Sequence, residues 1–203
     1  MSSFIPTNIL VINSSCRKEK SHSRQLTDQV VQQYLIKNPN INITIRDVGL
    51  LPISPPNEEW ITANLTPIEN LTEDQQKILE QSDVLISELK RADVVVFGCP
   101  MYNFSISASL KAYFDLCCRS GHTFTYTEKG PQGLLVGKKA VICTTSAGVP
   151  SESEVDFVSS YMKQICNFIG ITDCALIHAN GLMTGNETEI IKNANKEIST
   201  LFE

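Results

Sequence analysis

Asp93-Val-Val-Val-Phe-Gly-Cys-Pro-Met-Tyr-Asn-Phe104 reads as a buried strand that stops at Gly98 and Pro100 and opens into a short aromatic and amide loop. A helix is expected at once, because Ile106, Leu110, Tyr113, Phe114 and Cys117 recur at helical spacing. In an open α/β sheet, ligands bind beyond the carboxyl ends of the strands, which is where this loop would sit. Met101, Tyr102, Asn103 and Phe104 combine flat apolar surface with amide donors and acceptors. That mixture suits a heteroaromatic ring such as flavin. Taken alone, the loop reads equally well as an ordinary β-to-α turn with buried aromatics.

Working outward, strands are expected at Asn8–Ile12, Ile41–Arg46, Asp93–Gly98, Lys139–Thr144 and Thr172–His178. Helical patterns fall between most of them. Ser23–Lys37 carries Leu26, Val30 and Tyr34 on one face and stops at Asn38-Pro39. Thr66-Pro-Ile-Glu69 reads as a capping box opening a helix to about Arg91, with Ile78, Ser82, Leu85, Ile86 and Leu89 as its stripe. Ser151-x-x-Glu154 reads as a second box before Val155, Val158, Met162, Ile165 and Ile169, with Gly170 ending that helix. Ile190, Ile191, Ala194, Ile198 and Leu201 mark the last one. Alternating strands and helices of this kind predict an α/β fold: a flavodoxin-like, doubly wound, five-stranded parallel sheet with helices on both faces. Leu50–Leu65, rich in Pro and Asn, is expected to be a surface excursion. Arg119–Gly137 is expected to form a β-hairpin insertion around Gly130-Pro131 that covers the ligand mouth.

The length of 203 residues, without a Gly/Ser linker or composition shift, is expected to make residues 1–203 a single domain. A balance of 17 Lys+Arg against 22 Asp+Glu argues against a nucleic-acid partner. Seven cysteines without any Cys-x-x-Cys pair fit a reducing cytoplasm better than a disulfide framework. No apolar stretch is long enough to span a bilayer, so no membrane partner is expected.

The chemistry-bearing segments follow the first and fourth strands. Asn13-Ser-Ser-Cys-Arg-Lys-Glu-Lys-Ser-His-Ser23 places hydroxyls at Ser14, Ser15, Ser21 and Ser23 before a helix, whose first N–H groups lack intrahelical partners. A phosphate monoester such as that of FMN fits such a loop, which has neither the Gly-x-Gly-x-x-Gly nor the Gly-Lys-Ser/Thr element. The competing reading is a solvated loop with a Ser cap. Arg17, Lys18 and Lys20 are expected to be solvated rather than ligating. Thr144-Thr-Ser-Ala-Gly148 is made of small residues that let backbone amides approach a flat ligand. It is an imperfect nucleophile elbow, since Thr144 replaces the first Gly of Gly-x-Ser-x-Gly. His22, His122 and His178 have no metal-ligand spacing, so no metal site is expected and a hydrolase reading finds no support.

These motifs resemble the FMN-dependent NADH-azoreductases, flavodoxin-like proteins related to two-electron quinone reductases. The resemblance runs nearly end to end. It covers Ser-Ser…Ser-His-Ser, Arg46-Asp-Val48, Pro100-Met-Tyr-Asn-Phe104, Leu110-Lys-Ala-Tyr-Phe-Asp115, Thr123-Phe-Thr-Tyr126, Gly130-Pro-x-Gly133 and Phe168-Ile-Gly-Ile171. It implies FMN bound by Ser14, Ser21, His22 and Ser23 at the phosphate. Met101, Tyr102, Asn103 and Phe104 would line the ring, and Thr145, Ser146, Ala147 and Gly148 would contact its pyrimidine side. It also implies Phe124 and Tyr126 beside the substrate, and a homodimer with the active site at the interface. The chain departs from the usual Ser-Arg-Gly-Gly at Thr145–Gly148, and from Phe-Leu-Gly at Ile165–Asn167. The implied activity is NADH- or NADPH-driven two-electron reduction of a quinone or azo acceptor by a ping-pong route, with the chemistry at flavin N5 and no catalytic side chain. The alternative is a non-enzymatic flavodoxin-like FMN electron carrier.

Overall fold

The computed structural model describes residues 6–184 and 186–203. Its architecture follows from β3 (Val94–Pro100), in which every residue is buried. A strand with apolar residues on both faces needs cover on both sides, and the chain supplies it with helices. The sheet has five strands in the order β2 (Asn42–Asp47), β1 (Asn8–Asn13), β3, β6 (Lys139–Thr145) and β7 (Asp173–Ala179), every neighbouring pair parallel. Successive side chains point to opposite faces. Ile9, Val11, Val94, Val96, Val141 and Cys143 therefore join one core with α1 (His22–Lys37) and α6 (Glu187–Thr200). Leu10, Ile12, Val95, Phe97, Cys99 and Ile142 join the other, under α3 (Glu73–Arg91), α4 (Ala108–Cys117) and α5 (Phe157–Ile169). The expected doubly wound sheet and its hairpin insertion are both present. No helix among the described residues is long and apolar enough to cross a membrane.

Helix starts differ from expectation at two places. Thr66 ends a helix rather than opening one: it caps the C-terminus of α2 (Glu58–Leu65), and Ile68–Asn70 is only a short 3₁₀ turn. The capping box of α3 belongs to Thr72 and Gln75, which satisfy each other's backbone N–H groups. The supposed excursion Leu50–Leu65 thus contains α2, started by Asn57, whose side chain accepts from Trp60 N–H. Trp60 and Ala63 anchor that helix in the core. Ser151 and Glu154 do not form a box either. Asp156 is the true cap of α5, accepting from the N–H of Val158 at 3.1 Å and of Ser159 at 3.0 Å, from Ser159 Oγ at 2.7 Å and from Glu152 N–H at 2.9 Å. Val155 is left exposed outside the helix. Leu201 likewise lies beyond α6 and faces solvent.

The hairpin pairs β4 (Phe124–Thr127) with β5 (Gly130–Gly133) antiparallel, so Glu128 and Lys129 make the turn and Gly130-Pro131 lie in a strand. Its base docks on the C-terminal end of α5. A Cβ on Gly133 would sit 2.1 Å from Gly170 N, so only glycine fits there. Leu135 N–H donates to the Ile169 carbonyl at 2.8 Å, and Phe124 packs on Phe168 with ring centroids 4.5 Å apart.

Burial alone pushes the Asp156 carboxyl upward, but the hydrogen bonds from Ser159, Glu152 and Val158 outweigh it and hold the group below its ordinary value. A carboxylate depressed in the folded state stabilises above its unfolded value, and that contribution is lost as pH falls through the folded one. Asp156→Ala is expected to lower stability by about 1–2 kcal/mol at neutral pH, the usual range for loss of a cap. In urea melts the gap from wild type should close below about pH 4; a gap constant down to pH 2 would contradict the role of the ionised carboxylate.

Candidate functional site

A parallel sheet delivers the turns after its strands to one edge. The turns after β1, β3, β6 and β7 meet around a cavity of about 210 Å³, lined by residues from Ser15 to Ser23, Pro100 to Tyr102, Thr145 to Ala147, and by Leu182 and Met183. Larger concavities lie elsewhere, 810 Å³ along the solvent face of α3 and 640 Å³ beside Arg119. Neither sits beyond the strand carboxyl ends, where converging turns can surround a ligand.

The first turn is braced from behind. Ser14 is fully buried, and its Oγ donates to the Gly98 carbonyl at 2.7 Å. The hydroxyl expected on a phosphate is therefore spent tying β1 to β3, and the next residue, Ser15, reaches the cavity. Arg24 clamps the same turn. It donates to the carbonyls of Arg17 at 2.8 Å and Ser15 at 2.7 Å while making a two-pronged pair with Asp47 at 2.5 and 2.9 Å. Burial raises the Asp47 carboxyl, and hydrogen bonds from Arg24 and Leu50 N–H overcome this and leave it lowered.

Ser21 opens α1 in an extended conformation, yet its side chain caps no helix N–H and the first turn holds no acidic residue. Its Oγ lies 3.3 Å from Ser23 Oγ, and both residues are buried at the cavity. His22 lies between them with Nε2 3.6 Å from Glu187 Oε1 and a buried Nδ1 that has no protein partner. Arg17 and Lys20, expected to be merely solvated, are exposed but line the mouth; Lys18 faces solvent. Paired hydroxyls, an uncapped helix N-terminus and two cations make a donor set that fits a phosphate monoester.

The β3 turn is strained. Tyr102 N–H donates to the Ser105 carbonyl at 2.9 Å and Ser105 N–H returns to Tyr102 at 3.2 Å. Between them Asn103 (φ 49°) and Phe104 (φ 72°) are both left-handed, the geometry of a primed two-residue turn. Asn tolerates this conformation, but for Phe it is uncommon, and each such residue stores of order 1–3 kcal/mol. Met101 N–H donates to the Thr145 carbonyl at 2.7 Å, and Tyr102 Oη accepts from Cys16 N–H at 3.1 Å, so this turn is fastened to both neighbours. Met101 and Tyr102 line the cavity, whereas Asn103 and Phe104 form an outer shoulder with Phe104 half exposed. Thr145, Ser146 and Ala147 line the opposite side; Gly148 lies just outside.

The hairpin aromatics are elsewhere. Phe124 is buried between Phe168 and Tyr126, and Tyr126 is exposed; neither lines this cavity. Docking on Ile169 and Gly170 fixes the hairpin base at the far end of α5 from the Thr145–Gly148 turn. It therefore does not cover the mouth of its own chain's cavity. His178 is structural: Nδ1 lies 3.0 Å from Thr144 Oγ1, and its N–H donates to Glu197. Leu182 and Met183 complete the wall, and the only sequence signal near them is Asn180-Gly181, a turn dipeptide after the last strand. The Arg24 clamp was equally hidden inside a helical pattern.

The flavodoxin-like fold family model matches residues 7–202. An FMN-dependent NADH:quinone oxidoreductase 1 of Hahella chejuensis is 46% identical over 198 residues, 97% of this chain and 96% of that protein. The FMN-dependent NADH:quinone oxidoreductase of Escherichia coli K12 is 43% identical over 181 residues, 89% and 90% of the two chains. Among solved structures, an azoreductase from Bacillus anthracis superimposes with a TM-score of 0.88 at 27% identity, covering 97% of this chain and 98% of that one. An FMN-dependent NADH-azoreductase of the same species, in complex with FMN, gives 0.85 at 26% identity and 97% coverage of both. With nearly the whole length matched, this chain belongs to the flavodoxin-like family of FMN-dependent NADH:quinone oxidoreductases and NADH-azoreductases.

Proposed function

We propose that this chain is an FMN-dependent oxidoreductase that uses NADH or NADPH to reduce quinones and azo compounds by alternating two-electron half-reactions. The observation that carries the reading is the donor set at the start of α1 facing, across one cavity, the apolar and amide turn after β3. Ser21, His22 and Ser23, with the free N–H groups of α1, hold the phosphate. Met101 and Tyr102, with Asn103 and Phe104 on the shoulder, frame the ring. FMN held there would supply the two-electron redox chemistry between a nicotinamide donor and the acceptor. The turn Thr145 to Ala147, which lines the cavity, with Gly148 beside it, would contact the ring's pyrimidine side, where backbone N–H groups could stabilise negative charge. No side chain acts as nucleophile and no metal takes part.

The active form we infer is a homodimer of single-domain subunits with the site at the interface. A cavity of about 210 Å³ is small for enclosing a drug-sized ligand, which normally takes about 300–1,000 Å³. Phe104, Phe157 and Tyr126 are at least half exposed, apolar surface that a second copy would cover. In that arrangement the hairpin of one subunit turns the exposed Tyr126 toward the partner's substrate, with Phe124 packed behind it. A cytoplasmic location is supported by seven free cysteines.

Purified protein titrated with FMN should quench flavin fluorescence with roughly one FMN per chain, as expected of one switch-point site. It should then oxidise NADH steadily only when menadione or an azo dye is present. A flavin-binding protein without acceptor-dependent turnover would instead be the electron carrier.

Asn103→Leu is expected to weaken FMN retention or shift its visible spectrum; wild-type values for both would remove Asn103 from the site. Arg24→Ala frees the first turn and should weaken FMN binding by about tenfold, a change of about 1.4 kcal/mol. Unaltered affinity in that variant would show that the clamp does not shape the phosphate end.

A further inference from the structure

The turn after β7 is tied to the turn after β6 by two backbone hydrogen bonds and one side chain. Gly181 to Thr184 close on themselves, with Thr184 N–H and Oγ1 donating to the Gly181 carbonyl at 3.0 and 3.2 Å. Leu182 N–H reaches the Ser146 carbonyl at 3.0 Å, and Met183 N–H reaches that of Ala147 at 2.8 Å. The one side-chain tether among the described residues is Ser146 Oγ, which accepts from Gly181 N–H at 3.1 Å and donates to the Val149 carbonyl at 2.5 Å. Asn180, next in the chain, gives no second tether, since both its buried amide atoms lack protein partners. Ser146 is buried, its only hydroxyl proton is engaged, and its N–H faces the Ala179 carbonyl at 3.4 Å. Its side chain thus has no donor left for a ligand.

We propose that Ser146 is a positioning residue: its hydroxyl fastens the β7–α6 turn to the β6–α5 turn, so that Leu182 and Met183 stand as a fixed apolar wall of the ligand cavity. This rests on the reading of that cavity as the FMN site. The wall faces the same space as Ser21, His22 and Ser23, and it contributes two apolar side chains that shed water from a site otherwise rich in polar groups. Met183 is 84% exposed, a large apolar side chain left in solvent unless a ligand lies against it. An unbranched thioether suits that contact, because it adapts its shape and packs well on aromatic rings. Without the hydroxyl, the turn would keep its backbone bonds to Ser146 and Ala147 but lose the anchor at its entry, Gly181. Two part-buried polar groups, Gly181 N–H and the Val149 carbonyl, would also lose this partner.

The test begins with protein free of FMN, so that it does not depend on flavin binding. In wild type, the amides of Leu182 and Met183 should exchange hydrogen nearly as slowly as that of Ile177 in β7. Rapid exchange there would overturn the clasp whatever any variant does. In Ser146→Ala both amides should exchange at least about tenfold faster while Ile177 is unchanged, as expected when one anchoring bond opens a local unit. Unchanged protection would also overturn the proposal. FMN dissociation is then compared in Ser146→Ala, Met183→Ala and the double variant. Each single change should speed release by about three- to tenfold, and the double should release FMN little faster than the worse single, because both act through one wall. Fully additive effects would mean that Ser146 acts on the ligand directly, contrary to the proposal. Failure of wild type itself to bind FMN would instead remove the function on which the proposal rests, leaving the exchange data to stand.

Discussion

The seam between β1 and β3 is the contact on which the remainder depends. The Gly98 carbonyl accepts from both Ser14 N–H, at 3.2 Å, and Ser14 Oγ, at 2.7 Å. A side chain at Gly98 would begin 3.0 Å from Asn13 Oδ1 and 3.2 Å from Thr27 Cγ2, so α1 could not lie so close to the strand ends. Thr27 in turn donates to Asn13 Oδ1 at 3.1 Å, locking that helix to the same point. Here the winding of the chain reverses: β2 lies to one side, β6 and β7 to the other. The helix start and the aromatic turn can face each other only because this seam brings their roots together.

The stabilising forces are divided between core and site. Two apolar layers, one on each face of the sheet, supply the driving force for folding, and their residues follow the simple alternation of side chains along each strand. The turns at the carboxyl edge contribute little buried apolar surface and depend on specific polar contacts instead. Arg24 with Asp47, Tyr102 with Cys16 and Ser146 with Gly181 each join two segments distant in sequence. Such contacts add little to net stability but define where a ligand's edges meet the protein.

Much of this was legible in the chain. The patterns place every strand of the five-stranded sheet to within about two residues, because runs such as Val94-Val-Val-Phe97 admit few other interpretations. Helix starts were harder. Ser/Thr-x-x-Glu patterns are plentiful, and which one caps a helix depends on where neighbouring apolar residues dock. Trp60 drew α2 into the core from a segment whose Pro and Asn content suggested solvent, leaving Thr66 as an end and Thr72 as the start of α3. Ser21 to Ser23, Met101, Tyr102 and Thr145 to Ala147 are recognisable as residue types on turns that line one cavity. Side-chain direction is not. Ser14 and Ser15 are chemically identical neighbours, and only the seam with Gly98 turns one inward and leaves the other at the cavity. The contribution of Leu182 and Met183 was invisible for a related reason, since backbone bonds between two turns leave no pattern in composition or periodicity.

One feature of the aromatic turn bears on how this protein would drift under selection. Phe104 holds a backbone angle that glycine adopts freely and a β-carbon resists. A population bred for heat resistance alone would be expected to swap it for glycine, relaxing the chain and discarding an oily side chain from the solvent boundary. A bulky ring at such a place, half exposed and left-handed, is therefore something durability does not explain.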